Sequence, residues 1–424
     1  MRIDGAFLAL TPETLPARLG SLDELTGRIG ADAGKWKVSE VGDGNLNLVF
    51  VVTGDRDAVI VKQALPYVRL VGEKWPLPLK RSFFEFHALT RQASRAPGML
   101  PEVFYFDEAQ ALIVMEYLTP HVILRKAFIA GEQPPNAARD LGTFMARTLF
   151  LSSDLHMNAR QRKMDLALFA DNAELCDITE NLVFSDPYYA AELNAHTSPQ
   201  LDGLVAELRA DVELKVEAQK LKQMFVTRAE ALLHGDLHTG SVMVTADDTR
   251  VIDPEFAFYG PMAFDVGMLI ANFWMAYFSQ DGRDIGAEKR DQMRRYLLQS
   301  IEDIWRVFVG EFSMLWSSER KGILYQQCVL ANGDDNAASE KALADLLRQL
   351  LSDALGFAGV EIHRRILGLA HNADFETIED RDMRATCEAR ALRFGRAIIL
   401  DRSRFGHLQE VNRLAAEFQN KVSS

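Results

Sequence analysis

Cysteine is scarce, with three residues in 424, Cys176, Cys328 and Cys387, far apart and without a Cys-x-x-Cys pair. That excludes a disulfide framework and a thiolate zinc site, and it predicts reduced thiols in a cytoplasmic protein. Cys387 falls in a helical stretch and reads as packing. Positive charge is also short, because 47 Lys and Arg face 60 Asp and Glu for a net charge of −13. Such a balance argues against nucleic acid and anionic membrane surfaces as partners. A bound nucleotide must then be held by a few placed cations, backbone N–H groups and a metal. Long apolar runs are missing as well. Phe264 to Phe278 is the most apolar segment, yet it is shorter than the roughly 20 residues of a membrane span and carries Asp265 and Asn272. No basic start leads into an apolar run, so no signal peptide is expected. Repeats, low-complexity tracts and Gly/Ser linkers are absent too. What remains is an ordinary globular composition, 48% hydrophobic and 25% charged, with length for two or three domain-sized units.

One stretch concentrates the chemistry. His234-Gly235-Asp236-Leu237-His238-Thr239-Gly240-Ser241 precedes the apolar run Val242 to Val244, and Val251-Ile252 precedes Asp253-Pro254-Glu255. With the polar turn at Asp247-Asp248 this reads as a β-hairpin carrying carboxylates at its mouth. Phosphoryl transfer needs such a set, with one carboxylate to orient a hydroxyl and others to hold a metal on a phosphate. Singly, Asp before a strand usually caps a turn and His in a loop usually serves the backbone. The joint pattern is far more specific.

Upstream, Thr11, Pro12 and leucines at 15, 19, 22 and 25 predict one or two short helices. Residues 36–41, 47–53 and 58–62 then read as three strands, with turns at Gly42-Asp43-Gly44-Asn45 and Gly54-Asp55-Arg56-Asp57. A glycine turn followed by a strand ending in Lys62 is the layout of a kinase nucleotide lobe. Residues 64–80 read as a loop in which Trp75, framed by prolines, is a lid, a pocket wall or plain surface packing. Residues 81–92 form a helix whose Glu85 is a candidate partner for Lys62. Strands at 103–106 and 112–115 lead into Glu116-Tyr117-Leu118, a hinge whose backbone can read an adenine edge. Beyond residue 120 the pattern is mostly helical, with helices expected at 136–152, 200–229, 262–278, 287–310, 336–356 and 381–400. Late in the chain, Arg364-Arg365 stand side by side before an apolar run. Adjacent helical residues point about 100° apart, so either both reach one pocket at a helix end or one lies on the surface.

These residues match a known pattern. His234 to His238 resembles the catalytic loop of the aminoglycoside-phosphotransferase and choline-kinase group of small-molecule kinases. The longer phrases at 234–241 and 253–261, Val61 to Arg69 with Gly72, Glu73 and Trp75, and the Arg364-Arg365 pair resemble the 5-methylthioribose kinases. The resemblance runs from about Gly42 to Arg396. It implies an α+β, bilobal protein-kinase-like fold, with a small β-rich lobe over 1–118 and a helical lobe over 119–424. It implies ATP-dependent, Mg²⁺-dependent phosphorylation of the anomeric hydroxyl of 5-methylthioribose in methionine salvage, by a homodimer. By position, Asn45, Lys62, Glu116, Tyr117, Leu118, Asp253, Pro254 and Glu255 would contact ATP, and Asp253 and Glu255 the metal. Asp236 would be catalytic and meet the sugar, with Arg364 and Arg365 on the substrate side. Ser241 stands where many kinases have asparagine, and Glu255 then becomes the candidate second metal ligand. Two other readings remain. One is a kinase of the same fold acting on an amino alcohol, an aminoglycoside or homoserine. The other is a nucleotide-sensing module without turnover.

Overall fold

The computed structural model describes residues 7–42, 46–68, 72–330 and 335–420. The chain divides into two compact units, Met1–His121 with Arg250–Ala257, and Val122–Thr249 with Phe258–Ser424. The first is built on an antiparallel sheet and the second is mostly helical, so the chain is α+β as the resemblance implies.

In the smaller unit five strands lie in the order Lys37–Glu40, Asn47–Thr53, Ala58–Ala64, Leu112–Glu116 and Val103–Asp107. Side chains alternate between the faces of a strand. Phe50, Val52, Val59, Val61, Leu112 and Val114 therefore share one face, where they pack with Leu15, Leu19, Leu25, Ile29 and Trp36 of the N-terminal segment. Lys62 lies opposite Val49 and Ile113 in the centre of the sheet and projects from the other face. Helix Arg81–Arg95 supplies its partner there. The stretch expected as a loop at 64–80 contains a two-stranded ladder, Tyr67–Val68 with Gly72–Pro76, and Trp75 lies in the second strand, partly exposed. The turn expected at 43–45 lies outside the described residues.

The larger unit is organised around helix Met262–Phe278, in which every residue is buried. It packs against helix Ala337–Leu367, and helix Ala287–Ser318 packs against Ala137–Leu151. The first pair approaches closely at Gly267, where a Cβ would sit 2.5 Å from the Ala354 carbonyl oxygen and 2.7 Å from the Phe357 Cβ. Phe184, Phe225, Phe264 and Phe357 pack ring against ring around it, edge to face where Phe357 meets Phe184 and Phe264 and tilted between the others.

Three readings change here. The 262–278 helix runs on through a short 3-10 turn, and Met262–Gly282 is long and apolar enough to cross a membrane, yet every residue from Met262 to Gln280 is buried in the protein. The single helix expected over 200–229 is two, Asp202–Ala210 and Val212–Thr227. Asp211 leaves helical geometry and its carboxylate accepts the Leu214 N–H, starting the second helix as an N-cap. The helix expected over 336–356 runs on to Leu367, so the arginine pair lies in its last turn, at a helix end, where cations complement the helix dipole.

Candidate active site

The chemistry falls into two sets of residues, each within one unit. In the smaller unit Lys62 is 8% exposed. Its ammonium donates to Glu85 Oε1 at 2.8 Å and to the Asp253 carboxylate. Burial works against that charge, but Asp253, Glu85 and Glu255 outweigh it and raise the lysine above its ordinary range. Burial likewise pushes the Glu85 carboxyl up, with Lys62 opposing. The expected Lys62–Glu85 pair is therefore present, and Asp253 joins it.

Asp253 is about half exposed and takes a left-handed backbone, φ 71°. That conformation is uncommon for residues other than glycine, asparagine and aspartate, and it concentrates at functional sites. Glu255 is buried. Its Oε2 accepts from Asn47 Nδ2 at 3.1 Å and lies 3.4 Å from Arg81 Nε. Arg81 is itself fixed, donating through Nη2 to the Leu46 carbonyl at 2.8 Å and Asn47 Oδ1 at 2.9 Å. Neither Asn47 nor Arg81 figured among the expected site residues. Glu85, Asp253 and Glu255 each offer an oxygen within 4.8 Å of the others. An all-oxygen set suits a hard cation such as Mg²⁺.

The hinge residues differ in exposure. Glu116 accepts the Glu102 N–H at 3.1 Å and Arg250 Nη1 at 3.3 Å, so its side chain braces the strand end. Tyr117 is exposed, while Leu118 and Pro254 are buried. Asn45 lies outside the described residues.

In the larger unit the loop after strand Ala231–Leu232 is held from below. The backbone N–H groups of His234 and Gly235 donate to the two carboxylate oxygens of Asp265 at 2.7 and 3.0 Å. Gly235 sits at φ 86°, a left-handed geometry that glycine adopts without steric cost, and the chain turns there to present Asp236. Ser241 closes the loop. Its Oγ accepts the His238 N–H at 2.9 Å and contacts the carbonyls of Asp236 and His238 at 3.1 and 2.9 Å. The hydroxyl that stands in the asparagine position is thus spent on the loop itself.

Asp236 is partly exposed and faces two guanidinium groups and an imidazole. Its Oδ1 lies 3.3 Å from Arg365 Nη2 and 3.6 Å from Arg364 Nη1, and its Oδ2 lies 3.4 Å from His238 Nε2. Burial raises the carboxyl, but His238, Arg365 and Arg364 together hold it well below the usual carboxylate range. Both arginines are buried, at 8% and 6% exposure, which overturns the surface alternative. They stay charged there because the fully buried Glu361, one turn earlier, pairs with both, at 3.1 Å to Arg364 Nη1 and 2.6 Å to Arg365 Nε. Beside them Arg125 is largely buried. It donates to Asn272 Oδ1 at 2.9 Å and Thr239 Oγ1 at 3.2 Å, and its Nε lies 3.4 Å from Asp374. Burial lowers its guanidinium to about 10, with Asp374 opposing. Glu361, Arg125, Asp374 and Asp265 escaped the sequence reading. Glu361 carried a signal, a carboxylate three and four positions before two arginines on one helix.

The model of the phosphotransferase enzyme family (APH) matches residues 37–298. A methylthioribose kinase of Escherichia coli O45:K1 (strain S88 / ExPEC) is 47% identical over 415 residues, covering 96% of this chain and 97% of that protein. Methylthioribose kinase 1 of Oryza sativa subsp. japonica is 45% identical over 410 residues, covering 96% and 92%. The methylthioribose kinase of Geobacillus kaustophilus (strain HTA426) is 44% identical over 380 residues, covering 89% and 90%.

Proposed function

Because the chain belongs to the methylthioribose kinases, within the phosphotransferase enzyme family, we propose that it transfers the γ-phosphoryl group of ATP to the anomeric (C1) hydroxyl of 5-methylthioribose in methionine salvage. The products are ADP and 5-methylthioribose 1-phosphate. The observation that carries the acceptor side is Asp236, an anionic carboxylate ringed by His238, Arg364 and Arg365.

A bond forms between the C1 oxygen and the γ-phosphorus, and the bond from that phosphorus to the bridging oxygen of ADP breaks. Asp236 accepts a hydrogen bond from the C1 hydroxyl, aligns it for in-line attack and takes its proton late, as the O–P bond forms. A carboxylate held so far below its usual range is a weak base, so alignment contributes more than proton removal. An anomeric hydroxyl is more acidic than a simple alcohol and suits a weak base. Arg364 and Arg365 face the acceptor and offset charge on the transferring group, a role in which an arginine contributes about 10³–10⁵ in rate elsewhere.

On the nucleotide side Lys62, kept charged by Glu85 and Asp253, neutralises the phosphate tail. Asn45, the backbone at Glu116, Tyr117 and Leu118, and Pro254 complete the ATP contacts, with the boundary between a nucleotide lobe and a substrate lobe at that hinge. Asp253 and Glu255 are the ligands assigned to Mg²⁺, which when bound supplies charge neutralisation at the phosphates. Their oxygens, with that of Glu85, lie close enough to share one cation. Lys62 takes one oxygen of Glu85 and one of Asp253, but Glu85 is buried while Asp253 is about half exposed, which leaves Asp253 and the anchored Glu255 as the metal pair.

A cytoplasmic homodimer belongs to the same proposal. Three unpaired cysteines support the compartment, and the exposed Ile323, Leu324, Tyr325 and Val329 support an interface. The net charge of −13 supports the absence of nucleic-acid and membrane partners. The kinase reading is tested with Asp236→Asn. Turnover of 5-methylthioribose in a coupled ADP assay is expected to vanish while ATP affinity by calorimetry is kept. Near-normal turnover overturns the assignment. Choline and an aminoglycoside as acceptors test the substrate, and the arginine pair predicts that neither cation is phosphorylated.

A further inference from the structure

The catalytic loop contains a second histidine whose two ring nitrogens face different partners. His238 Nδ1 lies 2.9 Å from the Gly240 N–H and 3.0 Å from the Ser241 N–H. Backbone amides only donate, so Nδ1 must be the acceptor in both contacts. A neutral imidazole with Nδ1 unprotonated carries its proton on Nε2. That nitrogen lies 3.4 Å from Asp236 Oδ2. The other oxygen of Asp236 is the one facing Arg364 and Arg365. The two oxygens are thus held from different sides, one by the helix end and one by the loop's own histidine. Space around the ring is tight, because a Cβ at residue 240 would sit 2.8 Å from His238 Cε1 and 3.0 Å from Arg125 Nη1. Arg125 and Arg365 also lower the ring's affinity for a second proton, after burial, with Asp236 opposing.

We propose that His238 is a positioning residue, whose tautomer is set by the Gly240 and Ser241 amides so that its Nε2–H fixes the rotamer of Asp236 toward the acceptor hydroxyl. The proposal rests on the reading of Asp236 as the residue that meets that hydroxyl. His238 touches neither substrate in this role. It converts loop geometry into carboxylate orientation, as the histidine-orienting carboxylates of metal sites do for their ligands.

Two substitutions separate the halves of the ring. Asparagine places an acceptor oxygen near the Nδ1 position and nothing near Nε2. Glutamine places an N–H donor near Nε2 and no acceptor near Nδ1. In the full-length enzyme H238N is expected to keep its melting temperature, its ATP affinity and its KM for ATP, and to lose about 10-fold or more in kcat. H238Q is expected to be the less stable of the two and the faster. A purely structural role gives instead parallel losses, with kcat tracking stability in both. Folded H238N with kcat within about twofold of wild type overturns the proposal, as does H238N melting below H238Q or H238Q being as slow as H238N. D236N, measured alongside, keeps the two readings apart. If D236N retains turnover, the assignment of Asp236 fails. If D236N is inactive and H238N is not impaired, only the role of His238 fails.

Discussion

At the scale of single residues, the site depends on charges that are buried and balanced in place. Lys62 is held by Glu85 and Asp253, and the arginine pair by Glu361 and Asp236. Burying such groups is costly unless each is paired. Glu255 is the case with the most direct consequence. Asn47 and Arg81 hold its Oε2, and the Ser241 hydroxyl is occupied by the loop. If Glu255 takes the place of the missing asparagine at the metal, Glu255→Gln raises the Mg²⁺ concentration for half-maximal activity about 10-fold or more. An unchanged Mg²⁺ titration would mean that Glu255 serves only Arg81 and Asn47.

At the scale of elements, helix Met262–Phe278 positions the loop that carries Asp236. Asp265 in its first turn receives two loop amides, and Asn272 two turns later receives Arg125. Asp265→Asn leaves the helix intact but removes one of the two acceptor oxygens. We expect kcat to fall about 10-fold with KM for ATP unchanged, and amide exchange at His234 and Gly235 to quicken. Exchange rates equal to wild type would show that the loop does not depend on Asp265. Legibility in the sequence is best judged on such elements. The strand carrying Lys62, the helix carrying Glu85 and the loop carrying Asp236 were readable, because period-2 and period-3.6 patterns flank residue types that phosphoryl transfer requires. Asp265 was visible only as a charge interrupting an apolar run. Arg125, Asp374 and Asn47 were not readable, since their partners lie far away in sequence and no spacing rule links them. The break at Asp211 was missed because apolar residues continue in phase on both sides of the cap.

At the scale of the whole molecule, stability is linked to pH through Glu388. Burial, with Glu376 nearby, pushes this carboxyl up to about 7, against a hydrogen bond from Thr197 and the charges of His371 and Arg384. The folded protein therefore binds this proton more tightly than the unfolded chain. The resulting stability is complete below the ordinary value of 4.5 and is lost as pH rises toward about 7. The slope is at most about 1.4 kcal/mol per pH unit. Glu388→Gln should flatten the melting-temperature profile across that window and melt higher than wild type above it. Parallel profiles for the two proteins would assign the linkage to other groups.

The same scale gives the buried helix a meaning during synthesis. An 18-residue stretch within Met262–Gly282 has a mean hydropathy of 1.2, enough by length and composition for a membrane span, and in the fold its neighbours cover it. One of them, helix Ala337–Leu367, is completed about 90 residues later, roughly 5–20 s of translation at typical rates. For that interval the nascent chain carries an apolar segment without the helix that covers it in the fold. The helix whose Asp265 holds the Asp236 loop thus stays uncovered on one face until a helix translated later is complete.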